Sequence, residues 1–193
     1  MYQKRNKELE VLALFIGNYK RELYLREISG LSKIPLKTTQ NILNLLEKNK
    51  IIKSMQRGKN KYFSLNLANI QTKLYLLQAE IRKTEIFLEK YSQFKTFLKE
   101  ITTHNPIIIF GSFVKSIADK NSDVDILTIS EKETNLPSHL LPNKIQLINL
   151  SEGNFIKSIK KQETLVKEIE ENHIILNNHS FYVNAMWDYY GRK

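Results

Sequence analysis

Two aspartates, Asp123 and Asp125, stand two residues apart in Ser122-Asp123-Val124-Asp125, at the start of the apolar run Ile126-Leu127-Thr128-Ile129. At that spacing on a strand both side chains leave the same face. Carboxylates so close repel each other unless a divalent cation sits between them. Oxygen-only ligands of this kind suit Mg²⁺, which keeps several waters and binds through one or two carboxylates plus substrate phosphates. Upstream, Gly111-Ser112 follows a second apolar run, Pro106-Ile107-Ile108-Ile109-Phe110. Gly111 lets a phosphate approach the backbone, and Ser112, expected to open a short helix, adds a hydroxyl to the donors of its N-terminus. The two motifs together predict a site for a nucleoside triphosphate. Gly111 and Ser112 are its nucleotide-binding residues, and Asp123 and Asp125 its metal-binding and catalytic residues.

The elements that must position these side chains are two buried strands with a short helix between them. Ten residues, Phe113 to Ser122, separate Ser112 from Asp123. A strand, Gly-Ser, about ten residues and Asp-x-Asp on a second strand resemble the minimal nucleotidyltransferase domains of the DNA polymerase beta superfamily. The resemblance continues to about Leu176. It implies an α/β domain with a small mixed sheet over residues 105–193, Mg²⁺ as cofactor, and transfer of a nucleotidyl group to a hydroxyl with release of pyrophosphate. Proteins of this type include antitoxin nucleotidyltransferases that modify a partner protein, so the resemblance admits a protein acceptor.

The chain departs from that family's pattern at two positions. Ser116 stands where the family often has a second glycine. Gln146, in Lys144-Ile145-Gln146-Leu147-Ile148-Asn149-Leu150, stands where the family has a third aspartate. A glutamine can orient water or weakly ligate a metal, but it cannot take the proton of an attacking hydroxyl. The resemblance therefore supports nucleotide and Mg²⁺ binding better than turnover, unless a nearby carboxylate such as Glu152 substitutes. The alternative is a regulator whose nucleotidyltransferase domain has lost catalysis and acts as sensor or scaffold.

Charge singles out the other end of the chain. The net charge of +10 divides into +9 over residues 1–66, +2 over 67–104 and −1 over 105–193. A basic block with its own apolar periodicity is the footprint of a polyanion-binding domain. Leu9, Leu12, Ala13, Phe15 and Ile16 predict a first helix from about Lys7 to Asn18. A short extended stretch and a short helix follow, punctuated by Gly30, and Pro35 opens a third helix. Thr39, Ile42, Leu43, Leu45 and Leu46 form the inward face of that helix. Two alternating strands, residues 51–55 and 61–65, flank the basic turn Arg57-Gly58-Lys59-Asn60 and predict a β-hairpin.

Three helices followed by a basic hairpin, with Leu-Glu-Lys-Asn-Lys-Ile-Ile-Lys leaving the third helix, resemble a winged helix-turn-helix domain over residues 1–66. The expected partner is double-stranded DNA. Lys37, Thr38, Gln40 and Asn41 on the third helix would enter the major groove, with Gln40 and Asn41 as base readers. Arg57, Lys59 and Lys61 on the hairpin would straddle the adjacent backbone. The competing use of such a domain is protein interaction.

Residues 67–104 contain neither proline nor glycine, and Ile70, Leu74, Leu77, Ile81, Leu88, Tyr91 and Leu98 recur at heptad-like steps. They predict one long connecting helix with an apolar seam suited to a homodimer. The whole is expected to be an α+β protein of two domains joined by that helix. A helix over about 154–172 and a terminal hairpin, 174–176 with 181–183, complete the expectation. His104, His139, His173 and His179 share no metal-ligand spacing and are expected at the surface or in turns. Trp187, Tyr189 and Tyr190 are expected to serve packing. The absence of cysteine excludes a disulfide scaffold, a thiol catalyst and an iron–sulfur centre. No apolar run is long enough for a membrane span, and the charged N-terminus does not resemble a signal peptide, so the expected location is cytoplasmic.

Overall fold

The computed structural model describes residues 6–115, 117 and 122–191. The chain forms two compact units, residues 1–82 with 190–193, and residues 83–189. No helix among the described residues is long and apolar enough to cross a membrane.

The first unit begins with α1 (Lys7–Ile16), β1 (Leu23–Tyr24), α2 (Leu25–Ser32) and α3 (Leu36–Lys48). The hairpin β2 (Ile52–Arg57) and β3 (Asn60–Leu65) follows. Asn6 caps α1 through a side-chain bond from the Leu9 amide at 3.2 Å. Gly30 does not interrupt its helix, which runs on to Ser32. Leu12, Phe15, Ile16, Ile28, Leu43, Leu46 and Ile51 are fully buried. Leu45, expected inward, is 42% exposed. It lies about 100° around the helix from both Leu46 and Asn44, beyond the arc that α3 buries. The strands form one antiparallel sheet in the order β1-β3-β2. Arg57 pairs with Asn60, which leaves a two-residue turn, Gly58-Lys59, with Gly58 at φ +58. A turn this tight needs positive φ, and glycine adopts it without strain.

The connecting segment is two helices, not one. Helix α4 (Ile70–Lys90) ends before Tyr91, and α5 (Gln93–Lys99) restarts after Ser92. Aromatic packing explains the break. Phe94 has ring centroids 5.0 Å from Phe87, 6.1 Å from Phe97 and 6.0 Å from Phe113. One straight helix could not bring all of these into a single cluster. The predicted seam divides with it: Ile70, Leu74 and Ile81 are exposed, whereas Leu88, Tyr91 and Leu98 pack against the core of the second unit.

The second unit is built on β4 (Ile107–Phe110), β5 (Val124–Ile129), β6 (Ile145–Leu150) and β7 (Ile174–Asn177), in the order β6-β5-β4-β7. Strand β4 is antiparallel to both neighbours and β5 is parallel to β6, so the sheet is mixed. All four residues of β4 are buried, as its unbroken apolar sequence requires. The predicted helix over 154–172 is again two, α6 (Glu152–Lys161) and α7 (Thr164–Glu171). Gln162, at φ +53, ends the first with left-handed backbone, and Glu163 accepts a 2.8 Å bond from Ser158.

The predicted terminal hairpin is not formed. After β7 the chain enters α8 (His179–Gly191), with the Asn178 side chain accepting from the Phe181 amide at 3.3 Å. Tyr182, Val183, Met186 and Tyr190 are buried at helical spacing, so a 3.6-residue period was hidden in an aromatic stretch that looks strand-like. His173 is likewise buried, contrary to expectation, with Nδ1 2.6 Å from the Ile169 carbonyl oxygen. Tyr190 stacks on Tyr19 within the first unit at 5.4 Å.

Candidate functional site

Asp125 lies on a central strand of the second unit's sheet, near the start of β5. Its partner on β4 is Phe110 and its partner on β6 is Gln146. Directly after Phe110 the chain turns through Gly111 at φ +72, and an added Cβ there would collide with the Asp125 carboxylate. Positive φ and this close approach both demand glycine. Residues 111–115 form a turn in which the Lys115 amide donates to the Gly111 carbonyl at 3.2 Å. The short helix expected after Gly-Ser falls largely on residues 116 and 118–121, outside the described residues. Ser116 lies outside the described residues. Ser112 is half-buried within the turn.

Asp123 immediately precedes β5 and is exposed, whereas Asp125 is half-buried. Burial pushes the Asp125 carboxyl above the usual range, and the charges of Glu168 and Asp123 push it further; Lys115 opposes them. Sequence reasoning missed both Glu168 and Lys115. Lys115 donates to Glu168 at 2.8 Å, and this pairing raises the Lys115 ammonium above its ordinary value. Lys115 was discoverable as a cation four residues beyond Gly111. Glu168 had no local signal, because α7 brings it back to the loop across 53 residues.

Gln146, directly opposite Asp125 on the neighbouring strand, shares its face of the sheet. Glu152 does not substitute for a third carboxylate. It opens α6 beyond the far end of β6, and the four strand steps from Gln146 to Leu150 alone span about 13 Å. Among the described residues no three carboxylate, histidine or cysteine side chains form a metal cluster. Asp123 and Asp125, the two residues expected to bind metal, offer carboxylate oxygens, donors of the kind a hard divalent cation takes.

Replacing Gly111 by alanine forces strained backbone and a displaced Asp125. We expect a loss of about 1–3 kcal/mol, read as a lower urea midpoint at unchanged slope.

In the first unit, Lys37, Gln40 and Asn41 are exposed on α3, and Thr38 is half-buried at its flank. Lys59 is exposed in the hairpin turn. Gln40 and Lys59 belong, with Arg26, Asn44 and Lys61, to a groove of about 690 Å³ bounded by α2, α3 and the hairpin. Arg57 and Lys61 are exposed too, but each is ion-paired. Arg57 pairs with Glu22 and Lys61 with Glu47.

Residues 91–182, just under half of the chain, match the nucleotidyltransferase domain family. The match spans β4, β5, β6 and β7, with Gly111, Asp123, Asp125 and Gln146 inside it. This segment carries a nucleotidyl-transfer type of fold. Neither the comparison with curated proteins nor that with solved structures returned a match.

Proposed function

We propose that the second unit binds Mg²⁺ and a nucleoside triphosphate at the Gly111–Asp125 contact, and that the first unit binds duplex DNA. The single observation that carries the first part is the Asp125 carboxylate seated against the Gly111 backbone, with Asp123 acting on it electrostatically. Asp123 and Asp125 would hold the metal, which supplies positive charge for in-line displacement at phosphorus. Gly111 leaves room for the Asp125 carboxylate against its backbone, and the Ser112 hydroxyl next to it can donate to a phosphate oxygen. Lys115 can exchange Glu168 for a phosphate oxygen. The acceptor would be a hydroxyl, on a partner protein or on nucleic acid, with pyrophosphate as leaving group.

The DNA reading rests on the chain order α1-β1-α2-α3-β2-β3, the order of a winged helix-turn-helix domain. It also rests on the exposed polar face of α3 with Lys37, Gln40 and Asn41. Exposed Ile70, Leu74 and Ile81, at steps of four and seven, support a homodimer through α4.

A second reading has its own observation. Gln146 lies in register with Asp125, where a third carboxylate would activate the acceptor, and this favours a regulator with a binding-competent but inactive domain. Incubating the full chain with Mg²⁺ and labelled ATP or GTP separates the two. Pyrophosphate release supports transfer, whereas nucleotide-dependent DNA binding without turnover supports the regulator. Label appearing on DNA or RNA would identify a nucleic-acid acceptor.

A further inference from the structure

The hairpin of the first unit carries its cations already paired. Arg57, the last residue of β2, meets Glu22 through two bonds, Nη1 to Oε2 at 2.5 Å and Nη2 to Oε1 at 3.0 Å. On the opposite strand Lys61 donates to Glu47 at 2.7 Å. The Ser54 hydroxyl donates to the same carboxylate. Lys61 first, then Ser54, hold the Glu47 carboxyl below the usual range. Glu22 precedes β1 and Glu47 lies in the last turn of α3, so the two carboxylates grip the hairpin from different elements. Among the described residues, by contrast, Lys37 and Lys59 make no ion pair.

Exposed ion pairs of this kind add little to stability, so folding does not account for two of them on one hairpin. Their consequence for a polyanion is larger. Each cation that neutralises a DNA phosphate releases a counterion and steepens the salt dependence of binding by about 0.9 in log–log slope. A cation already seated on a carboxylate must leave it to do so. Arg57 is held in the bidentate geometry that would otherwise serve a phosphate.

We infer that Glu22 and Glu47 are guard carboxylates that keep Arg57 and Lys61 off the phosphate backbone and so hold the DNA affinity of this surface below what its cations permit. The inference rests on the DNA reading above and adds to it a built-in restraint. With both pairs closed, phosphate contact falls to cations of this face that make no ion pair among the described residues, Lys37, Lys59 and Arg26, and the hairpin stays pinned against α3. Opening either pair recruits a further phosphate ligand.

The test is fluorescence anisotropy of a labelled mixed-sequence duplex with the full chain over a series of salt concentrations. Glu22→Gln and Glu47→Gln are each expected to tighten binding, most at low salt, and to steepen the slope by about 0.9. Arg57→Gln alone should leave the wild-type slope unchanged but cancel the gain of Glu22→Gln. Lys61→Gln should do the same with Glu47→Gln. These two double-mutant cycles separate the guard effect from a general change of net charge. If Arg57→Gln and Lys61→Gln alone already flatten the slope by about 0.9, those cations sit on phosphate and the inference is overturned. Unchanged binding by the glutamine variants overturns it equally. Absence of duplex binding by the wild type and every variant removes the DNA reading itself; binding by the wild type with a slope indifferent to the four substitutions removes only the guard.

Discussion

Mg²⁺ with ATP or GTP, at about 100 times the dissociation constant, is expected to stabilise the wild-type chain by about 2.7 kcal/mol, and Asp125→Asn to abolish that gain. The same substitution is expected to stabilise the chain without ligand at neutral pH. In the folded protein the Asp125 carboxyl lies above the usual range because of burial and then the charges of Glu168 and Asp123. A raised carboxyl means that the native state holds its proton more tightly than the unfolded state does. Its stabilising contribution is therefore complete below the ordinary carboxylate range and is lost as pH rises through the raised value. At neutral pH ionised Asp125 opposes folding, and asparagine, of the same shape, removes the charge. Urea unfolding from about pH 4 to pH 8 should show the wild type losing ground to Asp125→Asn as pH rises. Adding Mg²⁺ and nucleotide at neutral pH should then reverse the order. An equal ligand-induced gain in both proteins would sink the assignment of Asp125 as a metal ligand.

The parts of this site that could be read from sequence are those set by local rules. Apolar runs marked β4 and β5, the two-residue step related Asp123 to Asp125, and glycine after a buried strand marked a close approach at Gly111, where the approaching group in the structure is the Asp125 carboxylate and the sequence reading had expected a phosphate. The lateral neighbour of Asp125 was legible only because a resemblance supplied the register for Gln146. What could not be read is set by distant contacts. Glu168 reaches Lys115 from 53 residues away and Arg57 reaches Glu22 from 35, and no periodicity encodes either meeting. The helix breaks have the same origin. Nothing in residues 87–97 forbids one continuous helix, and only the aromatic cluster with Phe113 rewards a bend. Helix α8 failed for the opposite reason: its aromatic and β-branched residues favour strand locally, and burial of Tyr182, Met186 and Tyr190 on one face overrides that preference.

Gln146→Asp is expected to have the largest effect on chemistry. Gln146 shares the face and register of Asp125, so the substitution sets a third carboxylate beside the first two. Without ligand it should lower stability at neutral pH, because another negative charge joins Asp123, Asp125 and Glu168. With Mg²⁺ and nucleotide that charge gains a cation to pair with, and Mn²⁺ affinity, measured by paramagnetic resonance without any turnover, should rise. If Gln146 is what limits transfer, the new carboxylate can accept the proton of the attacking hydroxyl. The rate of pyrophosphate release should then increase about 10²- to 10⁴-fold. Tighter Mn²⁺ binding with no faster release would mean that the face accepts metal but the acceptor hydroxyl is not presented to it, which is the behaviour of a sensor. Faster release in an already active wild type would place Gln146 as a brake on transfer. A wild type that turns over and is not accelerated must take its proton elsewhere. Glu168 is then the first residue to replace, since Lys115 holds its carboxylate at the loop that also carries Gly111.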